Sequence, residues 1–210
     1  MIYQRMELWL IRHGETLWNR QQRAQGQLDI PLSELGVAQA EALAQRLKST
    51  KFAALISSDL SRAYRTAEIC AAQLEMPIVT DPAWREIHCG EIQGLTLPEI
   101  EAKGLSMRHK PVQYAWLGGE SRSDVMQRVE QAMLRLHQPY AEARVAVFTH
   151  GGTIRGAIHV ALDDFEQKIS LGERGNTSIS IVQIRADARG RLLVYNDTAH
   201  LMSLPSSNLA

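Results

Sequence analysis

The chain has little cysteine, no long apolar run and no excess charge of either sign. Each shortage excludes a class of protein. Two cysteines, Cys70 and Cys89, stand among 210 residues at a spacing that matches no metal site. They read as small buried or partly exposed thiols in a reducing cytosol. No stretch reaches the ~18 consecutive apolar residues of a transmembrane helix, so no membrane partner is expected. Met1-Ile2-Tyr3-Gln4-Arg5-Met6 leads straight into an apolar strand and lacks a signal-peptide core, so a cytoplasmic location is expected. Basic and acidic residues balance at 23 each without a basic tract, which argues against nucleic acid as a partner. Internal repeats and low-complexity blocks are absent. The length suits one domain, or one domain with an excursion, and can bury a full core. Oligomeric state leaves no mark on the sequence.

What is present alternates strand and helix. That order predicts a single-domain α/β fold: a three-layer α/β/α sandwich whose mostly parallel central sheet carries an antiparallel edge strand. A strand over Leu8–Ile11 comes first. Ser33 is placed to cap a helix to about Leu47, with Leu35, Ala38, Ala42, Leu43 and Leu47 as its apolar stripe. A strand over Phe52–Ser57 leads to a helix through about Leu74, capped by Ser58 or Asp59, with Leu60, Ala63, Ala67 and Cys70 inward. A short strand is expected over Pro77–Thr80. In residues 98–120, Gly104, Pro111, Gly118 and Gly119 interrupt any regular pattern. This segment reads as a lid-like excursion over the carboxyl edge of the sheet, with a short helix near Leu97–Lys103. Ser121 and Asp124 form a capping box for a helix to about His137. A strand over Val145–Thr149, a helix from about Gly152 to Leu162, and two antiparallel strands near Thr177–Arg185 and Arg191–Asn196 complete the order.

Three apolar runs end in chemistry. Leu8-Trp9-Leu10-Ile11 stops at Arg12-His13-Gly14, Val145-Ala146-Val147-Phe148 at Thr149-His150-Gly151-Gly152, and Ala53-Ala54-Leu55-Ile56-Ser57 at Ser58-Asp59-Leu60-Ser61-Arg62. Ligand sites of open α/β sheets form outside the carboxyl ends of the strands. Two histidines and two arginines are therefore expected around one anion. A phosphoryl group needs fixed donors for its oxygens and a nucleophile in line with its leaving oxygen. Arg12 and Arg62 supply planar, charge-assisted forks. Gly14 lets the backbone approach, the turn into Glu15–Gln21 is expected to aim amides at the anion, and Asn19 is a neutral donor candidate. One of His13 and His150 attacks as neutral imidazole; the other donates to an equatorial oxygen. Glu86 is the candidate proton donor to the leaving oxygen, with Glu91 its local competitor. His88, His109, His137 and His159 read as surface or packing residues, His200 as a structural hydrogen bonder, and Trp9 as core.

In these blocks the chain resembles the histidine phosphatase superfamily, in the branch holding cofactor-dependent phosphoglycerate mutases and small-molecule phosphatases. The resemblance runs from Leu8 to Leu201. It rests on Arg12-His13-Gly14-Glu15-Thr16 with Trp18-Asn19, Arg23-Ala24-Gln25-Gly26, and Ser57-Ser58-Asp59-Leu60-Ser61-Arg62-Ala63. Arg85-Glu86-Ile87, Gly118-Gly119-Glu120-Ser121, Thr149-His150-Gly151-Gly152 and Asn176-Thr177-Ser178 continue it. The resemblance implies that His13 becomes phosphorylated. It also implies that Arg12, Arg62 and His150 bind the phosphoryl group with help from Asn19 and Gly151, and that Glu86 gives the proton. Leu117, Cys89 and Ile92 depart from residues frequent among relatives and are expected to reshape the pocket wall.

The leading expectation is a hydrolase of small phosphomonoesters with no cofactor and no metal. A phosphoglycerate mutase is the first alternative; the short 98–120 excursion leaves little chain for enclosing a phosphorylated intermediate. A non-enzymatic phospho-ligand module is the second, disfavoured because every catalytic group is in place. A metal-dependent hydrolase is weaker still, since flanking arginines would repel the metal. Substrate choice is expected to lie in 98–120 and in Gln22–Leu28.

Overall fold

A computed structural model of the chain describes residues 5–106 and 110–204. Those residues build one sheet from β1 (Met6–Arg12), β2 (Ala54–Ser57), β3 (Ile78–Thr80), β4 (Arg144–Thr149), β5 (Ile179–Ile184) and β6 (Gly190–Asp197), in the order β3-β2-β4-β1-β5-β6. Four neighbouring strands, β3 to β1, are parallel. β5 pairs antiparallel with both β1 and β6, so the antiparallel pairings gather at one end of the sheet.

The helices are α1 (Leu17–Arg20), α2 (Glu34–Leu47), α3 (Ser61–Leu74), α4 (Leu97–Ala102), α5 (Arg122–Tyr140) and α6 (Gly151–Ala161). Alternating residues of the central strands feed two cores, as the strand period demands. Leu8, Leu10, Val145 and Val147 pack with Val129 and Met133 of α5 and Ile154 and Ile158 of α6. Trp9, Ile11, Ala146 and Phe148 pack with Leu43 and Leu47 of α2 and Ala67 and Cys70 of α3. This is the expected three-layer α/β/α sandwich. Burying one such aliphatic or aromatic side chain contributes about 1.5–3 kcal/mol. Trp9 meets Phe52 edge to face at 5.3 Å, in the core as expected.

Several local expectations change. The inward face of α2 is Gly36, Gln39, Ala40, Leu43, Ala44 and Leu47; Leu35, Ala38 and Ala42 are only half-buried. The stripe is turned because Gly36 and Gln39 must face the β1 turn. Ser33 caps α2 through the amide of Gly36 as expected. The start of α3 has no side-chain cap from its own N-cap residue. Asp29 accepts from the amide of Ser61, Ser58 from that of Leu60, and Asp59 instead pairs with Arg85. α5 opens on the Ser121–Asp124 capping box but runs past His137 to Tyr140. Pro139 is tolerated there because only the last turn loses a hydrogen bond.

Candidate active site

Sheet register assembles the site. β1 and β4 are adjacent and parallel, with Arg12 opposite Thr149. The next residue on each strand is a histidine, so both imidazoles arrive together. Their ring centroids lie 5.2 Å apart. Both are buried, at 3% and 0% exposure. Nδ1 of His13 lies 2.7 Å from the carbonyl oxygen of Gly14. A carbonyl only accepts, so Nδ1 carries the proton and Nε2 keeps its lone pair. Burial, reinforced by the charges of Arg62 and Arg12, holds His13 well below the ordinary histidine range. Burial, with Arg62 and His13, does the same to His150. Both rings are therefore neutral at neutral pH.

Two guanidinium groups flank them. Arg62 is fully buried, and its Nη1 and Nη2 donate to the carbonyls of Leu28 and Gly26 at 2.8 and 2.7 Å. Residues 26–28 thus aim the fork from behind, while its Nε is buried without a partner. Arg12 donates to the carbonyl of Arg174, and its Nε is likewise unpartnered. Neither arginine takes part in any ion pair among the described residues. Burial lowers the Arg12 pKa to about 10, with the Glu86 charge acting against the shift. Cations this deep without carboxylate partners are costly unless an anion joins them.

Glu86 faces the same space. Its Oε1 accepts from its neighbour's amide, Ile87 N–H, at 2.9 Å, and its Oε2 from Gly152 N–H, in the first turn of α6, at 3.0 Å. A Cβ on Gly152 would lie 2.5 Å from Glu86 Oε1. Arg85, the neighbour that could have neutralised Glu86, is held by Asp59 through two bonds. Arg128 pairs with Glu120 and reaches only the backbone oxygen of Glu86. Thr149 and Thr153 donate to the carbonyls of Trp84 and Arg85 and clamp this segment to β4 and α6. Glu91 points elsewhere and accepts from Leu117 N–H.

Gly151 borders the cleft, and a Cβ there would sit 3.7 Å from Nε of both Arg12 and Arg174. Asn19 is placed differently from the rest. Its Oδ1 belongs to a capping box with Thr16 and also accepts from Asn176. Asn176 donates to the carbonyl of His13 as well, so Asn19 meets the site through the β1 turn. The amides expected to face an anion are taken by protein: Gly14 by Thr66, Glu15 by Gln39, Thr16 by Asn19. Helix α1 is only four residues long and needs these side chains to hold its start.

The cleft outside these groups measures about 710 Å³. Gln22, Arg23, Ala24, Cys89, Ile92, Ile100 and Trp116 wall it, so both segments expected to set specificity border it. Burial raises the Cys89 thiol to about 12. Leu117 is 79% exposed and stands off the wall. Arg108 and His109 lie outside the described residues. His88 accepts from Gly90 N–H, and His137 is buried on α5. His159 is buried against Asp164, and His200 bonds Thr177. Sequence reasoning gave no role to Arg174, Thr66, Glu120 or Arg128. Arg174 had a signal, since it stands two residues before Asn176-Thr177-Ser178, and Glu120 lies in a motif block; their contacts to the site became visible only in the structure.

A parallel sheet whose strand ends gather two neutral histidines, two unpaired arginines and a carboxylate defines a phosphoryl-handling class of α/β enzyme. The chain belongs to the histidine phosphatase superfamily (branch 1), whose profile matches residues 8–198. It is a histidine phosphatase-type hydrolase. The chain is 34% identical to phosphoglycerate mutase-like protein 4 of Arabidopsis thaliana, across 93% of this chain and 86% of that protein. It is 35% identical to a metal-independent phosphoserine phosphatase of the same plant, across 94% and 84%. A mycobacterial glucosyl-3-phosphoglycerate phosphatase solved with VO3 superimposes with a TM-score of 0.81 at 34% identity, covering 92% of this chain and 99% of that one. No helix among the described residues is long and apolar enough to cross a membrane.

Proposed function

We propose that this cleft hydrolyses phosphomonoesters in two displacements, with His13 as nucleophile. The observation that carries the reading is the pair of neutral strand-end histidines, 5.2 Å apart, beside the buried Arg62 and the half-buried Arg12, neither with an ion-pair partner among the described residues. Nε2 of His13 attacks phosphorus as the ester P–O bond breaks, and Glu86 gives its proton to the leaving oxygen. Water then attacks phosphorus, the P–N bond breaks, and the Glu86 carboxylate takes the water's proton. Arg12 and Arg62 hold the equatorial oxygens, with Gly151 and the side-chain amide of Asn19 as further contacts. Ser58 Oγ accepts from Leu60 N–H and lies 2.9 Å from His150 Nε2. When Ser58 donates its proton to Nε2, the His150 proton resides on Nδ1, which is buried without a partner and serves the phosphoryl oxygen.

Residues 1–210 act as one catalytic domain with 98–120 as its wall. The unpaired cysteines support a cytoplasmic site of action. The phosphoserine and glucosyl-3-phosphoglycerate named for relatives support a small phosphomonoester as substrate. Two arginines already neutralise the phosphoryl oxygens, so activity is expected to persist in excess EDTA; dependence on added Mg²⁺, Mn²⁺ or Zn²⁺ would contradict this reading. Protein quenched in acid after brief exposure to substrate should carry a base-stable phosphoramidate on His13. His13→Ala should lose at least ~10³-fold in turnover, because no other group replaces the covalent step. Label on His150 instead overturns the assignment.

A further inference from the structure

Beyond the phosphoryl site the cleft continues into a smaller cavity of about 220 Å³. The two spaces share Trp116, Gly152 and Arg174. Three arginines line the smaller one, Arg122, Arg155 and Arg174, and no carboxylate does. The Nε of each is buried without a hydrogen-bond partner. Arg122 donates to Gln167 and to the carbonyl of Lys110, and Arg174 to Tyr195 and the carbonyl of Gly172, all neutral oxygens. Nothing among the described residues bonds the Arg155 side chain. Burial lowers the pKa of Arg155, and the charges of Arg174 and Arg122 add to it, so the three cations feel one another. Grouping them without an anion is unfavourable, and a bound oxyanion relieves it. Ile87, Trp116 and Val125 supply apolar walls.

We propose that Arg122, Arg155 and Arg174 form a second anion site, taking a carboxylate or second phosphate of the molecule whose phosphoryl group lies at Arg12 and Arg62. The inference rests on the phosphomonoesterase reading and narrows its substrate class. Arg174 joins the sites, since the Nε atoms of Arg12 and Arg174 both approach Gly151. Arg155 is four residues further along α6, about 6 Å by helical rise. The two anions are therefore carried on a short carbon chain.

The test compares three substrates that share a skeleton: glycerol 3-phosphate, 3-phosphoglycerate and glycerol 1,3-bisphosphate. Phosphate release is followed at constant, high ionic strength for the wild type, Arg155→Gln and Arg122→Gln. The wild type should favour one of the two-anion substrates over glycerol 3-phosphate by about tenfold or more in kcat/KM, as expected of a charge-assisted fork. Which one wins separates carboxylate from phosphate. Both variants should lose most of that ratio. Each ratio is taken within one protein sample, so partial misfolding of a variant cancels. Equal kcat/KM for all three substrates in the wild type, or a preference that survives in both variants, overturns the second site while leaving hydrolysis intact. No release from any substrate overturns the hydrolase reading itself, and the second site with it.

Discussion

At the scale of single residues, the site is set by which charges are left unpaired. Glu86 has an arginine beside it in sequence and another beside it in space, yet Asp59 and Glu120 occupy both. Its carboxyl is left to the amides of Ile87 and Gly152, the hydroxyl of Thr153 and the cleft. Glu86→Gln keeps the size of the side chain and removes the proton, while its NH2 can accept neither of the two amides that the carboxylate oxygens hold. It should slow hydrolysis of alkyl phosphates by 10² or more, and that of p-nitrophenyl phosphate much less, because nitrophenolate leaves without help. Equal losses on both would assign Glu86 to positioning. The histidines also shape the pH response. Their folded pKa values are depressed, so the unfolded chain binds their protons first. Stability should be constant above the unfolded pKa of about 6.5 and fall below it, by about 1.4 kcal/mol per pH unit for each histidine that stays neutral. Denaturant titrations at pH 7.5 and 5 measure this. His150→Asn should flatten the slope; an unchanged slope would mean that other groups cause it.

At the scale of elements, the active-site turn is wedged rather than merely bonded. Gly36 on α2 sits so close to the turn that a Cβ would lie 2.1 Å from the carbonyl oxygen of Glu15, and one on Gly14 would lie 2.4 Å from that of Gly36. Two backbones meet here, so neither can yield cheaply. Gly36→Ala should cost about 2 kcal/mol, the usual scale of overpacking, and lower Tm by roughly 4–8 °C. Turnover per folded molecule should also fall, because the turn that carries His13 shifts. A variant with the wild-type midpoint would show that α2 can slide away. The helical period made α2 legible, but this contact was not. An apolar count ranks Leu35 and Ala38 above Gly36 and Gln39, whereas the structure buries the latter pair against the β1 turn.

At the scale of the whole molecule, the described part of the excursion packs onto the segment after Glu86. Ile100 and Trp116 cluster with Cys89 and Ile92, and the Trp116 indole donates to the carbonyl of Leu105. Tyr114 packs edge-on against Trp116 and under Lys110. A mutase must keep water from its phosphorylated intermediate. Supplied with 3-phosphoglycerate and a trace of 2,3-bisphosphoglycerate, this protein should release phosphate faster than it forms 2-phosphoglycerate. Faster isomerisation would show that the wall seals the site. Trp116→Ala opens both cavities and should shift substrate preference more than it lowers turnover on the best generic substrate. Equal losses on all substrates would confine Trp116 to packing.

The sequence by itself determined the sheet, its helices and most of the residues that the structure gathers at the strand ends. Parallel strands buried on both faces read as apolar runs, and a polar residue at the end of such a run can only emerge at the carboxyl edge. Arg12, His13, Arg62 and His150 were visible for that reason. Glu86 and Asn19 follow no such run; their side-chain chemistry made them candidates, and the motif resemblance added to that. Tertiary structure alone decided which partners are taken. Asp59 removes Arg85 from Glu86, Asn19 spends its amide oxygen on a cap, and Arg122, Arg155 and Arg174, from three separate segments, converge without a carboxylate. Pairing of charges depends on distances between residues far apart in the chain, and no local pattern encodes those distances.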